Sequence, residues 1–199
     1  MARPLAVAIT GSIGAGKSEA LAAFARHGAA TVSSDEIVHR LLREDEEVRR
    51  ALVDRFGEGI LTSAGEIDRS GVAEIVFNDR KALEWLETLL HPRVAREYLE
   101  WRERLADLPD PPAVCATEVP LLYEVGGETR FDAVVAIGAP EALRRARSAG
   151  GADGRETRQL TDEEKLRRAD FAYVNDGSLA ELDAFVAETM RRLEDRARV

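Results

Sequence analysis

The sequence predicts an α/β chain built on a five-stranded parallel sheet flanked by helices, with a long helical insertion between the second and third strands. Three observations carry that expectation. Short apolar runs alternate with helical patterns, which is the signature of strands joined by right-handed helical crossovers. A glycine-rich turn joins the first run to the first helix. Residues 45–107 are patterned almost wholly as helix, too long a stretch for a plain crossover.

Taken in order, residues 5–9 form the first strand, a short apolar run. Residues 19–27 are alanine-rich with Leu21 and Phe24, and Gly28 sits where a helix-ending glycine belongs. Residues 30–33 are the second strand. A helix over 35–43 follows, with Ile37, Val38, Leu41 and Leu42 on one face. The insertion holds helices over 48–56, 70–77 and 80–105, and Pro92 is expected to interrupt or kink the last of them. Residues 107–112 break the chain, and strands return at 113–117 and 133–137. Helices over 140–147 and 160–168, a strand over 171–174 and a helix over 179–196 complete it. The expected organisation is one domain: a core of about 1–44, 113–142 and 160–199, a helical part of about 45–112, and a lid of about 143–159.

Composition bounds the rest. With 199 residues, 45% hydrophobic and 33% charged, the chain is globular and long enough for a core without covalent staples. One cysteine, Cys115, excludes an intrachain disulfide framework and a multi-cysteine zinc site. No run approaches the roughly 18 apolar residues of a membrane span. Residues 5–9 are too short for the apolar segment of a signal peptide, so the expectation is a cytoplasmic protein without a membrane partner. A net charge of −9 argues against a general nucleic-acid binder.

The turn after the first strand is Gly11, Ser12, Ile13, Gly14, Ala15, Gly16, Lys17 and Ser18, a full match to G-x-x-x-x-G-K-[ST] between a strand and a helix. Glycines allow the backbone to turn its amides into one hollow, and the helix N-terminus adds its dipole. Lys17 places a point charge on the β- and γ-phosphates of a nucleoside triphosphate, and Ser18 offers a hydroxyl to Mg²⁺. The plain alternative is a glycine turn with a surface lysine, but motif and context agree. Lys17 is also one of only three lysines in a chain that otherwise uses arginine. Guanine recognition by N-K-x-D is absent, and a D-x-x-G match at residues 68–71 falls in a helical region and is read as chance.

All strand ends of a parallel sheet share one edge, where ligands bind. The second strand delivers Ser33, Ser34 and Asp35; the third delivers Glu118; the fifth delivers Asn175. Two readings stand for Asp35: a cap for the next helix, shared with a Ser33–Glu36 capping box, or a general base for a phosphoryl acceptor. Glu118 is either a water-mediated Mg²⁺ ligand or a solvated acid. Arg144, Arg145, Arg147, Arg155 and Arg158 flank a glycine-rich loop, read as a lid over the phosphates in preference to a solvated charged surface. His39 and His91 read as structural, and Trp85 and Trp101 as packing.

Residues 10–18 resemble the T-G-G-I-G-[SA]-G-K-S of the dephospho-coenzyme A kinase family. The similarity continues through Ser33 to Asp35 on its D-x-D, Leu90-His91-Pro92, the V-P-L-L-Y-E at 119–124, Arg155 with Gln159, Lys165, Ala169-Asp170, and Asn175 with Gly177. Phosphate loops are widespread; V-P-L-L-Y-E, H-P and A-D-x₄-N-x-G in this order are specific. The resemblance implies a P-loop nucleotide kinase-like fold and an enzyme that uses ATP and Mg²⁺ to phosphorylate the 3′-hydroxyl of dephospho-CoA, as a monomer or small homo-oligomer. It implies Asp35 as catalytic base and Arg155 as the lid arginine that meets the phosphates, beside catalytic Lys17 and the Mg²⁺ roles of Ser18 and Glu118 read above from the residues themselves. It also implies Asp170 and Asn175 near the adenine end of ATP, whose phosphates fall to residues 11–19, Glu19 included, and it implies Asp35, His91, Pro120 and Leu121 at the acceptor. Two features depart from the family pattern. Ser33 stands where the first acid of D-x-D belongs, and the segment from Arg147 to Arg155 is short. The rival readings are another P-loop nucleoside or nucleotide kinase, and a non-catalytic ATP-gated regulator.

Overall fold

The computed structural model describes residues 3–147 and 160–197. Five strands form one all-parallel sheet: β1 (Leu5–Thr10), β2 (Ala30–Val32), β3 (Val114–Glu118), β4 (Ala133–Gly138) and β5 (Phe171–Val174), in the order β2-β3-β1-β4-β5. β1 is central. It pairs Leu5 with Val114 of β3 and Val7 with Ala133 of β4, so the apolar runs of β1, β3 and β4 lie between neighbours, while β2 and β5 form the edges.

Strand alternation divides the core. Val7 and Ile9 of β1, Val114 and Ala116 of β3, and Val135 and Ile137 of β4 belong to one buried cluster. It also contains Leu21 and Phe24 of α1 (Lys17–Arg26), and Leu182, Val186, Met190 and Leu193 of α8 (Leu179–Ala197). Those α8 positions recur at helical spacing, which is why the closing helix lies along the sheet. Arg26 and His27 at the end of α1 both meet the Asp183 carboxylate of α8, at 2.6 and 3.0 Å. Ala8, Leu122, Tyr123 and Val134 make a smaller cluster.

The chain divides into two compact units, Met1–Val32 with Arg102–Val199, and Ser33–Trp101. The second unit is helical, with α2 (Ser34–Glu44), α3 (Glu46–Phe56), α4 (Arg69–Asn78) and most of α5 (Arg80–Ala106). Its helices start at side-chain caps. Asp45 accepts from the Glu47 and Val48 amides at 2.9 and 3.0 Å. Asp68 accepts from the Ser70 amide at 3.0 Å, which gives the D-x-x-G match a structural explanation. Trp85 stands edge-on to Phe56 with ring centroids 5.4 Å apart, and Trp101 lies 5.7 Å from Tyr98. Both tryptophans pack, as expected.

Pro92 does not interrupt its helix: α5 continues through it for 27 residues in all. Proline removes one amide donor. The next residue adds a side-chain bond to the helix backbone: the Arg93 guanidinium donates to the Leu89 carbonyl at 2.9 Å. Arg93 is itself steadied by Asp45 and Glu47, at 3.7 and 3.3 Å. Among the described residues no helix is long and apolar enough to cross a membrane.

Candidate active site

The phosphate loop leaves β1 at Thr10 and enters α1 at Lys17, two residues earlier than the sequence expectation. Gly16 explains the early start. At φ 102° it is the N-cap, and it supplies no side chain to the amides of the first turn. Those amides are left to an anion, in line with the helix dipole. A Cβ on Gly16 would lie 2.3 Å from Asn175 Nδ2. Gly11 is more constrained still: at φ 145° its Cβ would stand 2.0 Å from the Ile137 carbonyl oxygen, a backbone atom that cannot swing away. Gly11→Ala is expected to destabilise the protein by about 3 kcal/mol. Thermal melting then reads a Tm lower by roughly 6–12 °C.

Lys17 is buried, and its Nζ donates to the Ser12 carbonyl at 2.9 Å. The Ala15 amide reaches the same carbonyl at 3.2 Å, closing the loop into a compact turn. Asn175 buttresses it from just after β5: its Nδ2 donates to the Ala15 carbonyl at 2.8 Å, its backbone amide to the Gly138 carbonyl at 2.7 Å, and it is buried. Arg147, in α6 (Glu141–Arg147), donates to the Asn175 carbonyl at 3.2 Å. Asn175 thus touches the loop itself.

Ser18 Oγ lies 3.4 Å from Glu118 Oε2. The pairing is set by the sheet, since Glu118 ends β3 in register with Ile9, just before the loop. A hydroxyl and a carboxylate are hard oxygen donors suited to Mg²⁺, which takes one or two protein ligands and completes its shell with water and substrate phosphates. Among the described residues no group of three His, Cys, Asp or Glu side chains could hold a metal. The set fits an ion shared with a bound nucleotide. Glu19 is exposed in the first turn of α1.

The two readings of Asp35 separate. Ser33 is the N-cap of α2 and forms the capping box: its Oγ accepts from the Asp35 amide at 3.2 Å, and its amide donates to Glu36 at 3.1 Å. The cap therefore does not use the Asp35 carboxylate, which is exposed and has no hydrogen-bond or ion-pair partner among the described residues. The departure at Ser33 also has a physical role, because its hydroxyl holds the helix start. His91 is exposed on α5, beside Pro92.

The segment 119–124 follows β3. Pro120 and Leu121 are half-buried, and Leu122 and Tyr123 point into the core. The Pro120 carbonyl accepts from Thr10 Oγ1 at 3.4 Å and from Lys165 Nζ at 2.8 Å. Lys165, in α7 (Asp162–Arg168), is fully buried and forms an ion pair with Glu124 at 3.0 Å. Burial pushes the Tyr123 phenol above its usual range, while the Arg168 guanidinium, 4.1 Å from the ring centroid, pulls the other way.

Asp170 is not brought to the loop. It precedes β5, at the opposite end of that strand from Asn175, and accepts from the Val134 amide at 2.8 Å. It takes the place of the next acceptor along the β4 edge. Among the arginines, Arg144 faces Asp162 at 3.6 Å and Arg145 pairs with Glu141. Arg155, Arg158 and the rest of the expected lid from 148 to 159 lie outside the described residues.

Sequence reasoning missed Asp162, whose Oδ1 accepts from the Ser12 amide at 3.0 Å. Within a Thr-Asp-Glu-Glu helix start it looks like one more acid favouring the dipole. Lys165 left a clearer trace. Of the three lysines in this arginine-rich chain, two are buried, Lys17 and Lys165.

A central parallel strand ending in this amide-lined turn, with a buried lysine and a serine–carboxylate pair beside it, defines a P-loop kinase-like protein. The family profile of dephospho-CoA kinase matches residues 5–181. The dephospho-CoA kinase of Protochlamydia amoebophila (strain UWE25) is 37% identical over 195 residues, covering 94% of this chain and 96% of the relative. That of Chlamydia pneumoniae is 36% identical, with 94% and 96% covered. A solved dephospho-CoA kinase from Campylobacter jejuni superposes with a TM-score of 0.69 at 28% identity, over 96% of this chain and 98% of that one. The chain belongs to the dephospho-CoA kinase family.

Proposed function

We propose that the protein transfers the γ-phosphoryl group of ATP to the 3′-hydroxyl of dephospho-CoA, giving coenzyme A and ADP. The phosphate loop carries the nucleotide half of this reading: uncapped first-turn amides beside a buried Lys17 ammonium suit a triphosphate. Family membership and the V-P-L-L-Y-E segment support the acceptor half.

In this reading Lys17 and the loop amides hold the β- and γ-phosphates. Ser18 and Glu118 hold Mg²⁺, which when bound neutralises charge on the phosphate oxygens. Asp35 accepts the proton of the ribose hydroxyl, and its unpartnered carboxylate supports that role. Arg155 neutralises charge on the transferring group, a role that rests on the resemblance alone. His91, Pro120 and Leu121 contribute to acceptor binding. Asn175 serves ATP by supporting the loop. Phosphoryl transfer asks little covalent chemistry of a protein, so positioning and charge stabilisation dominate.

A coupled ADP-release assay tests this over a panel of dephospho-CoA, nucleosides and nucleotides with MgATP. Turnover of dephospho-CoA with none on nucleosides is the expected result. Preferential turnover of a nucleoside or nucleotide would make it a different P-loop kinase. ATP binding without transfer to any acceptor would make it a regulator.

A further inference from the structure

Two segments used by the proposed reaction are held by one short helix. α7 carries Asp162 and Lys165 three residues apart, one turn of the same side. Asp162 Oδ1 accepts from the Ser12 amide at 3.0 Å. Its Oδ2 accepts from the Ala139 amide at 3.2 Å and faces Arg144 at 3.6 Å. Lys165 donates to the Pro120 carbonyl at 2.8 Å and pairs with Glu124 at 3.0 Å. Glu124 in turn accepts from the Leu160 amide at 2.8 Å, just before the helix.

The helix itself needs none of this. Thr161 already caps it by accepting from the Glu164 amide at 3.2 Å. A buried ion pair contributes little net stability compared with an apolar pair of the same volume, so Lys165 with Glu124 points to orientation rather than to stability. Ser12 is gripped at both ends: Asp162 holds its backbone amide, and its own carbonyl receives Lys17 Nζ at 2.9 Å. Asp162 therefore acts on the phosphate-binding ammonium through Ser12.

We propose that α7 is the brace that sets the spacing between the phosphate loop and the 119–124 segment, with Asp162 the positioning residue for ATP and Lys165 the positioning residue for the acceptor. The acceptor half rests on the function proposed above; the ATP half does not.

Titration calorimetry with ATP and, separately, with dephospho-CoA tests both halves in the full-length protein. Asp162→Ala is expected to weaken ATP by about tenfold and to leave dephospho-CoA within about twofold of wild type. Lys165→Met alone would strand the buried Glu124 charge, so the double variant K165M/E124Q is used, which removes the pair together. It is expected to show the reverse: dephospho-CoA weakened by about tenfold, ATP within about twofold. Far-UV circular dichroism reports folding. Asp162→Asn, which keeps one acceptor oxygen, is expected to give a smaller loss of about threefold for ATP and serves if the alanine variant does not fold. A folded Asp162 variant that binds ATP as wild type does overturns the brace. So does equal weakening of both ligands in both variants, or failure of all three variants to fold, since the residues are then merely structural. A wild-type protein that binds ATP but not dephospho-CoA refutes the proposed acceptor, while the Asp162 arm still decides the brace.

Discussion

Lys17→Met is expected to lower kcat by about 10²–10³-fold, the loss typical of removing one preorganised charge from a developing oxyanion. The ammonium is buried at the start of α1 and already aligned through the Ser12 carbonyl at 2.9 Å. In the proposed role, little reorganisation is needed when charge moves onto the phosphates. Methionine keeps the length and the apolar stem, so the loop geometry survives and the loss reads out in turnover. Arginine is not a conservative replacement, because its planar fork cannot enter a hollow shaped for a point charge. Steady-state kinetics on both variants, with thermal melting as a control for folding, decides this. A methionine variant within threefold of wild-type kcat would remove Lys17 from the chemistry.

Asp35→Asn is expected to lower kcat by about 10²–10⁴-fold while both KM values stay close to wild type, as for a lost general base. The structure makes the experiment clean. The α2 cap is the Ser33–Glu36 box, so neutralising Asp35 leaves helix initiation in place. The charge it removes from the first turn is worth only about 0.3–1 kcal/mol. A variant that folds and loses turnover therefore reports chemistry. Retention of near-full kcat at saturating substrates would reassign the base.

The local features of this protein were readable from its sequence. Residues 5–9 and 133–137 are apolar runs fit only for buried strands, and the order G-x-x-x-x-G-K-S specifies its own backbone conformation. What escaped was long-range. Asp162 meets Ser12 across 150 residues, and Lys165 meets Pro120 across 45. Neither spacing has a period to detect. Asp170 was placed with Asn175 because one pattern spans both, yet β5 lies between them and carries them to opposite ends of a strand. Pro92 was expected to interrupt or kink its helix on local grounds, and the helix continues through it. Beside it the Arg93 guanidinium, held by Asp45 and Glu47, reaches the Leu89 carbonyl, a contact with no local signal. Asp35 was ambiguous because serine and aspartate both cap helices well, and only the geometry at Ser33 decides which does.

The central place of β1 has a consequence for biosynthesis. Ala6 bonds to Asp132, a residue 126 positions downstream, and both strands that flank β1 are translated after the whole helical stretch. Emerging from the ribosome, the first strand waits without a neighbour, while segments with local contacts are free to fold ahead of it. The anion hollow at its end is therefore assembled late: nascent chains halted before β4 should not be retained on immobilised ATP, and those carrying the complete sheet should.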